Sequence, residues 1–173
     1  PDMMNAFALP GGRIVLFRGL IEAAEHPDEI AAAFAHEIGH VAARDPTRIA
    51  LRSAGSIGVL GLLFGDFAGG TLVLFLTERM IEATYSQQAE AEADLFAHRR
   101  LAEVGIRPSA IGDMFRRFAA EGGEMPAILD HLASHPALGD RVAAAEEADR
   151  LLTGPATPSL TQADWAALET ICD

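Results

Sequence analysis

The sequence predicts an α+β domain that is mostly α, with a small sheet near its N-terminus. Three observations point that way. A single β-rich run, Ile14 to Phe17, lies close to the start; Ala-rich segments with helix start and stop signals follow it; and no internal repeat or low-complexity tract interrupts them. At 173 residues, half of them apolar, the chain suffices for one domain with a core of its own.

Residues 5–20 read as extended, with a Pro10, Gly11, Gly12 turn ahead of the β-rich run. From His26 the signals switch to helix. Pro27 suits a first helical position, Asp28 and Glu29 complement the positive first turn, and an Ala-rich body runs to about Ala43, where Asp45 and Pro46 stop it. Residues 54–76 form a 23-residue apolar stretch with six glycines and one charge, Asp66. Its length reaches the lower range of a membrane span. Gly55, Gly58, Gly61, Gly65 and Gly69 would line one helical face for close packing. Asp66 and the Gly69, Gly70 pair suit a broken hairpin that is buried or forms a lid; contact with a membrane or partner protein and a true span are the alternatives.

A helix is expected from about Thr84 to Glu103, closed by Gly105 and Pro108, and another from Pro108 to about Glu121. Gly122, Gly123 and Pro126 break the chain before a short helix leading to Ser134, His135 and Pro136. The acidic stretch 138–152 reads as helix, 153–160 as linker and 161–171 as a last short helix. The expected organisation is a body over 1–152 carrying the 54–76 insert, with 153–173 part of the same domain.

Composition narrows the function. Thirteen Lys plus Arg face twenty-five Asp plus Glu, and the formal charge of -12 disfavours nucleic acid as a partner and any general attraction to anionic lipid. The single cysteine, Cys172, rules out an internal disulfide and a Cys-based metal cluster, and leaves the compartment open. The chain opens at Pro1, without a basic segment ahead of an apolar run and a small-residue cleavage site, so a processed or excised piece is expected.

The chemistry is concentrated in His36, Glu37, Ile38, Gly39, His40, a His-Glu-x-x-His sequence inside the expected helix. Histidines four apart leave the same helical face and can bind one ion, while Glu37, offset by one residue, can reach the attacking water without being a ligand. A motif this short arises by chance, so context decides. Neutral imidazoles suit Zn²⁺, and catalytic zinc takes three protein ligands and a water. Downstream, Glu90, Glu92, Asp94 and His98 are the candidates for the third. Glu90 and Asp94 share a face left uncrowded by Ala89, Ala91 and Ala93, whereas Glu92 points nearly the opposite way. Glu90 is then the expected ligand, and Asp94 accepts the outer ring N–H of a ligand histidine. The alternative for this cluster is a solvated acidic face.

These residues resemble the M48 peptidases, which include the CaaX prenyl-protease, HtpX-like heat-shock proteases and periplasmic quality-control proteases. The resemblance spans roughly Asn5 to Arg141. It rests on Asn5 to Gly12 ahead of an edge strand, the metal helix in the form A-H-E-I-G-H-V-A-A-R-D, the E-A-E-A-D of Glu90 to Asp94, and S-H-P-A-L-G-D-R with His135, Pro136 and Arg141. Gln87 departs from the pattern, because an arginine often follows the serine in the family.

The resemblance implies a zincin fold of the gluzincin type, one Zn²⁺ held by His36, His40 and Glu90, Asp94 in support, and Glu37 as general base. It also implies a histidine over the metal at His135, a candidate donor to the substrate oxyanion; the alternative is a helix-capping or structural role before Pro136. His131 is a further candidate, while His26 and His98 read as surface residues. Residues 13–17 are the candidate edge for an extended polypeptide substrate. The implied activity is zinc-dependent endopeptidase, with misfolded or membrane-associated protein as substrate class and the bacterial cell envelope as location. The alternative is a latent or inactive metal-binding, chaperone-like module.

Overall fold

The computed structural model describes residues 3–64, 85–120 and 138–172. Strands β1 (Ala6–Leu9) and β2 (Arg13–Leu16) pair antiparallel, with Ala6 opposite Leu16 and Leu9 opposite Arg13. The tight link between them needs Gly11 and Gly12, whose φ angles of 88° and 79° lie in the left-handed region. Extended backbone stops earlier than expected. Phe17 caps a short helix, α1 (Arg18–Ala23), which carries Leu20 and Ile21 into the core. The exposed Arg18–Glu22 pair at 2.6 Å contributes only a few tenths of a kcal/mol to it. Packing of Leu20 and Ile21 against Met4, Ala6, Ile30 and Met114 decides the helix instead, and periodicity over six residues cannot announce that.

Helix α2 (Pro27–Ala43) starts as the sequence signals indicate: His26 Nδ1 accepts a hydrogen bond from the Asp28 N–H and Pro27 opens the first turn. Asp28 and Glu29 do more than complement the helix dipole. Both are buried; Asp28 accepts from the Ser159 N–H at 2.6 Å and Glu29 pairs with Arg117 at 2.6 Å. The helix ends at Ala43, yet Asp45 and Pro46 do not lead into a loop. Arg44 takes a left-handed conformation (φ 60°), the chain turns, and Asp45 opens helix α3 (Asp45–Phe64), where proline near the first turn costs no hydrogen bond. The first part of the 54–76 stretch is therefore the end of α3, and the expected break around Asp66 to Gly70 lies outside the described residues.

Helix α4 (Gln87–Glu103) is capped by Ser86, whose hydroxyl accepts from the Ala89 N–H, and is followed by Gly105 at φ 76°. Helices α5 (Ala110–Ala120) and α6 (Leu138–Ala148), a single 3-10 turn (Asp149–Leu151) and helix α7 (Gln162–Glu169) complete the described elements. Residues 153–161 lie against the body: the Thr157 N–H donates to the Gly105 carbonyl at 2.8 Å, and Trp165 and Leu168 of α7 pack on the cluster around Leu20 and Met114. Among the described residues no helix is long and apolar enough to cross a membrane.

Helices α2 and α4 pack through small side chains. Ala32 and Ala35 of α2 meet Ala97 and Leu101 of α4. A Cβ on Gly39 would lie 2.8 Å from the Ala93 Cα and 2.9 Å from its carbonyl oxygen, so only glycine allows this approach. Gly39→Ala is expected to cost about 1–3 kcal/mol, the range for overpacking a tight contact. Urea unfolding measures it; an unchanged midpoint would remove Gly39 as the residue setting the spacing.

Candidate metal centre

The approach of α2 to α4 brings three ligating side chains to one point. His36 and His40, one turn apart on α2, put their Nε2 atoms 3.0 Å from each other, with the rings edge to face. Glu90, on the first turn of α4, places Oε2 3.5 Å from His36 Nε2 and Oε1 3.3 Å from His40 Nε2. One atom from each of the three lies within 4.8 Å of the others, and all three residues are buried. Glu37, on the same turn of α2, is 1% exposed, whereas Glu92 faces solvent.

The outer ring nitrogens explain why the inner ones converge. His36 Nδ1 lies 2.8 Å from Asp94 Oδ1, and His40 Nδ1 lies 3.0 Å from Asp45 Oδ2. A carboxylate only accepts, so each Nδ1 carries a proton, and in its neutral form each ring presents the Nε2 lone pair to the centre. Two lone pairs and a carboxylate pointing at one spot repel unless a proton or a metal ion stands among them. The charge balance agrees: Glu90 and Asp94 pair with one largely buried guanidinium, Arg141, with buried Glu37 also nearby, while Asp45 adds a further carboxylate behind His40. Two imidazoles and a carboxylate form a donor set suited to a divalent metal, and the residues present fit one.

The titrating groups report the same demand for positive charge. Burial works against a charge on His36, but its hydrogen bonds to Asp94 and Glu90 outweigh that and push its pKa up to about 9. Burial would raise Asp94, yet the contacts from His36 and Arg141 hold it well below the usual carboxylate range. Arg141 is itself largely buried, which works against its charge, but its hydrogen bonds to Asp94, at 2.7 Å and 2.8 Å, keep it charged all the more firmly. Burial pushes the Tyr85 phenol upward, and Glu37 and Asp45 nearby add to the shift. Beside the centre a small cavity runs from His36 and Glu37 towards Ala33, Ala97 and Ile111.

The family model for peptidase family M48 matches residues 1–149. The chain belongs to that family. Curated M48 relatives include the mitochondrial metalloendopeptidase OMA1 of Arabidopsis thaliana, 30% identical over 134 residues, which cover 78% of this chain and 27% of that protein. The metalloprotease LoiP of Escherichia coli is 31% identical over 151 residues, 80% of this chain and 56% of LoiP. A putative beta-barrel assembly-enhancing protease of Vibrio cholerae is 32% identical over 158 residues, 85% of this chain and 33% of that protein. The chain thus spans between about a quarter and just over half of the length of these M48 relatives.

Of the residues singled out in the sequence, His36, Glu37, His40, Glu90 and Asp94 meet in this centre. His131 and His135 lie outside the described residues. His26 is an exposed cap, but His98 is buried beside the centre rather than on the surface, and burial lowers its pKa. It follows Asp94 by one helical turn, so it stays on the inward face of α4. Sequence reasoning missed three partners. Asp45 had been read as a helix stop; Tyr85 stacks on the His40 ring at 3.8 Å and 10°; and Arg141 reaches Glu90 at 2.8 Å as well as Asp94. Arg141 and Asp45 each had a signal, their places in the family-like S-H-P-A-L-G-D-R and A-H-E-I-G-H-V-A-A-R-D segments, whereas Tyr85 had none.

Arg141→Met removes the guanidinium that bridges Glu90 and Asp94 and leaves His36 as their remaining positive partner. In chelator, where no metal compensates, stability should fall by about 3 kcal/mol, the low end for breaking a buried ion pair. Urea unfolding with excess chelator checks this, and a loss below about 1 kcal/mol would show that the guanidinium is not essential to the charge balance.

Proposed function

We propose that this chain is the catalytic domain of a zinc-dependent endopeptidase with the zincin arrangement of the gluzincin type, in which His36, His40 and Glu90 hold the ion. The observation that carries the reading is the convergence of two Nε2 lone pairs and a carboxylate at one buried point, with Glu37 on the same turn of α2. Membership of M48 supports it, as do relatives named metalloendopeptidase and metalloprotease.

Zinc bound there supplies a Lewis acid that polarises the scissile carbonyl and makes water more acidic. Glu37 takes the proton from the attacking water and passes it to the leaving amine. Asp94 and Arg141 keep His36 and Glu90 oriented, so neither ligand has to reorganise during turnover. Among the described residues β2 pairs on one side only, with β1, which leaves a row of main-chain donors and acceptors at 13–17 for an extended peptide. His135 is the proposed second donor to the oxyanion.

The substrate class in this reading is misfolded or membrane-associated protein of the bacterial cell envelope. The names of LoiP's neighbours in the family, the beta-barrel assembly-enhancing proteases of Vibrio cholerae and Escherichia coli, support that placement.

Two measurements test the reading. Casein or a peptide library should be cleaved by the zinc-loaded chain and spared after chelation, with activity returning on adding zinc; a chain that binds zinc yet never cleaves is the inactive, chaperone-like module instead. Glu37→Gln should retain zinc, by metal analysis, while cleavage drops by roughly 10²–10⁴-fold. Turnover that survives the substitution would sink the mechanism.

A further inference from the structure

We propose that Asp45 is a second positioning carboxylate of the metal centre, holding His40 as Asp94 holds His36. This rests on the metal reading above and adds a residue from a different element, the first turn of α3. Its Oδ2 lies 3.0 Å from His40 Nδ1, and the His40 side chain is 0% exposed. With Asp45 in place, no water competes for that contact. A neutral imidazole has two tautomers, and only the one protonated at Nδ1 turns its Nε2 lone pair towards Glu90 and His36. Asp45 selects it. Tyr85, stacked on the same ring at 3.8 Å, limits the ring's rotation, so orientation and protonation are set by separate groups.

The bland reading of Asp45 is an acidic residue at a helix start, paired with Arg48. That role needs no burial, because the helix dipole acts on exposed carboxylates as well. Asp45 is nevertheless 7% exposed, and its Oδ1 is 3.4 Å from Arg48, a side chain that is mostly in solvent. The shorter, buried contact is the one to His40. The backbone points the same way. Arg44 is the only non-glycine residue with positive φ among the described residues, a conformation that disfavours any side chain with a Cβ. It turns the chain at the end of α2, so that the residue five places after His40 lies against the His40 ring. Strain retained at this point is explained by what it delivers.

The test uses the full chain and two metals. Zinc affinity is measured by competition with a chromophoric chelator, and the ligand field is read from the visible spectrum of the protein saturated with Co²⁺. Asp45→Ala should weaken zinc binding about 10–100-fold, the range for loss of a carboxylate behind a ligand histidine, and should alter the Co²⁺ spectrum at saturation. Asp45→Asn should fall between, since its amide oxygen still accepts from Nδ1–H without the charge. Arg48→Ala, which removes the helix-start pairing alone, should leave affinity and spectrum unchanged. The proposal is overturned if Asp45→Ala and Asp45→Asn both give the wild-type spectrum, or if Arg48→Ala reproduces their loss, as a merely structural role would. Wild-type protein that binds neither ion would overturn the metal reading itself, a result distinct from these.

Discussion

Gly39 faces Ala93 at a distance that no Cβ could occupy, and the candidate metal centre is built on that contact. It draws α2 and α4 together one turn from where His36, His40 and Glu90 project, so ligands separated by fifty residues of chain share a single point. The alanines on both sides serve the same end. Larger side chains would bury more apolar area, but they would hold the helices at the usual 8–10 Å separation. Close approach here matters more than hydrophobic gain.

Bringing the ligands together concentrates negative charge in a place water does not reach. Burying an unpaired carboxylate costs several kcal/mol, so the arrangement depends on countercharge. Arg141 supplies part of it by bridging Glu90 and Asp94, and each histidine spends its outer N–H on a carboxylate. What remains is a spot with electron pairs on three sides and a demand for a cation. Structural support and metal affinity are here the same interactions.

The motif and its helix were legible because their signal is local: residues four apart on one helix share a face whatever surrounds them. Glu90 and Asp94 were legible for the same reason once a metal was suspected. The contact of Asp45 was not, although it stands at the end of the family-like A-H-E-I-G-H-V-A-A-R-D segment, since Asp45 and Pro46 look alike whether the chain ends in a loop or turns into α3. Tyr85 and His98 carry no pattern either, because stacking on His40 and burial beside Asp94 arise only when separate helices meet. The α1 helix belongs with these; six residues are too few for a period, and Leu20 and Ile21 become helical through the core they enter.

By itself, then, the sequence determined the candidate ligands and base, the helices that carry them and the charge class of the molecule, all of them consequences of neighbours within a few residues. Tertiary structure alone decided how those groups are held. The tautomer of His40, the countercharge on Glu90 and the spacing of α2 from α4 depend on Asp45, Arg141 and Ala93, which reach the centre through packing between elements. Such contacts leave no periodic trace along the chain, because the distance that matters is through space.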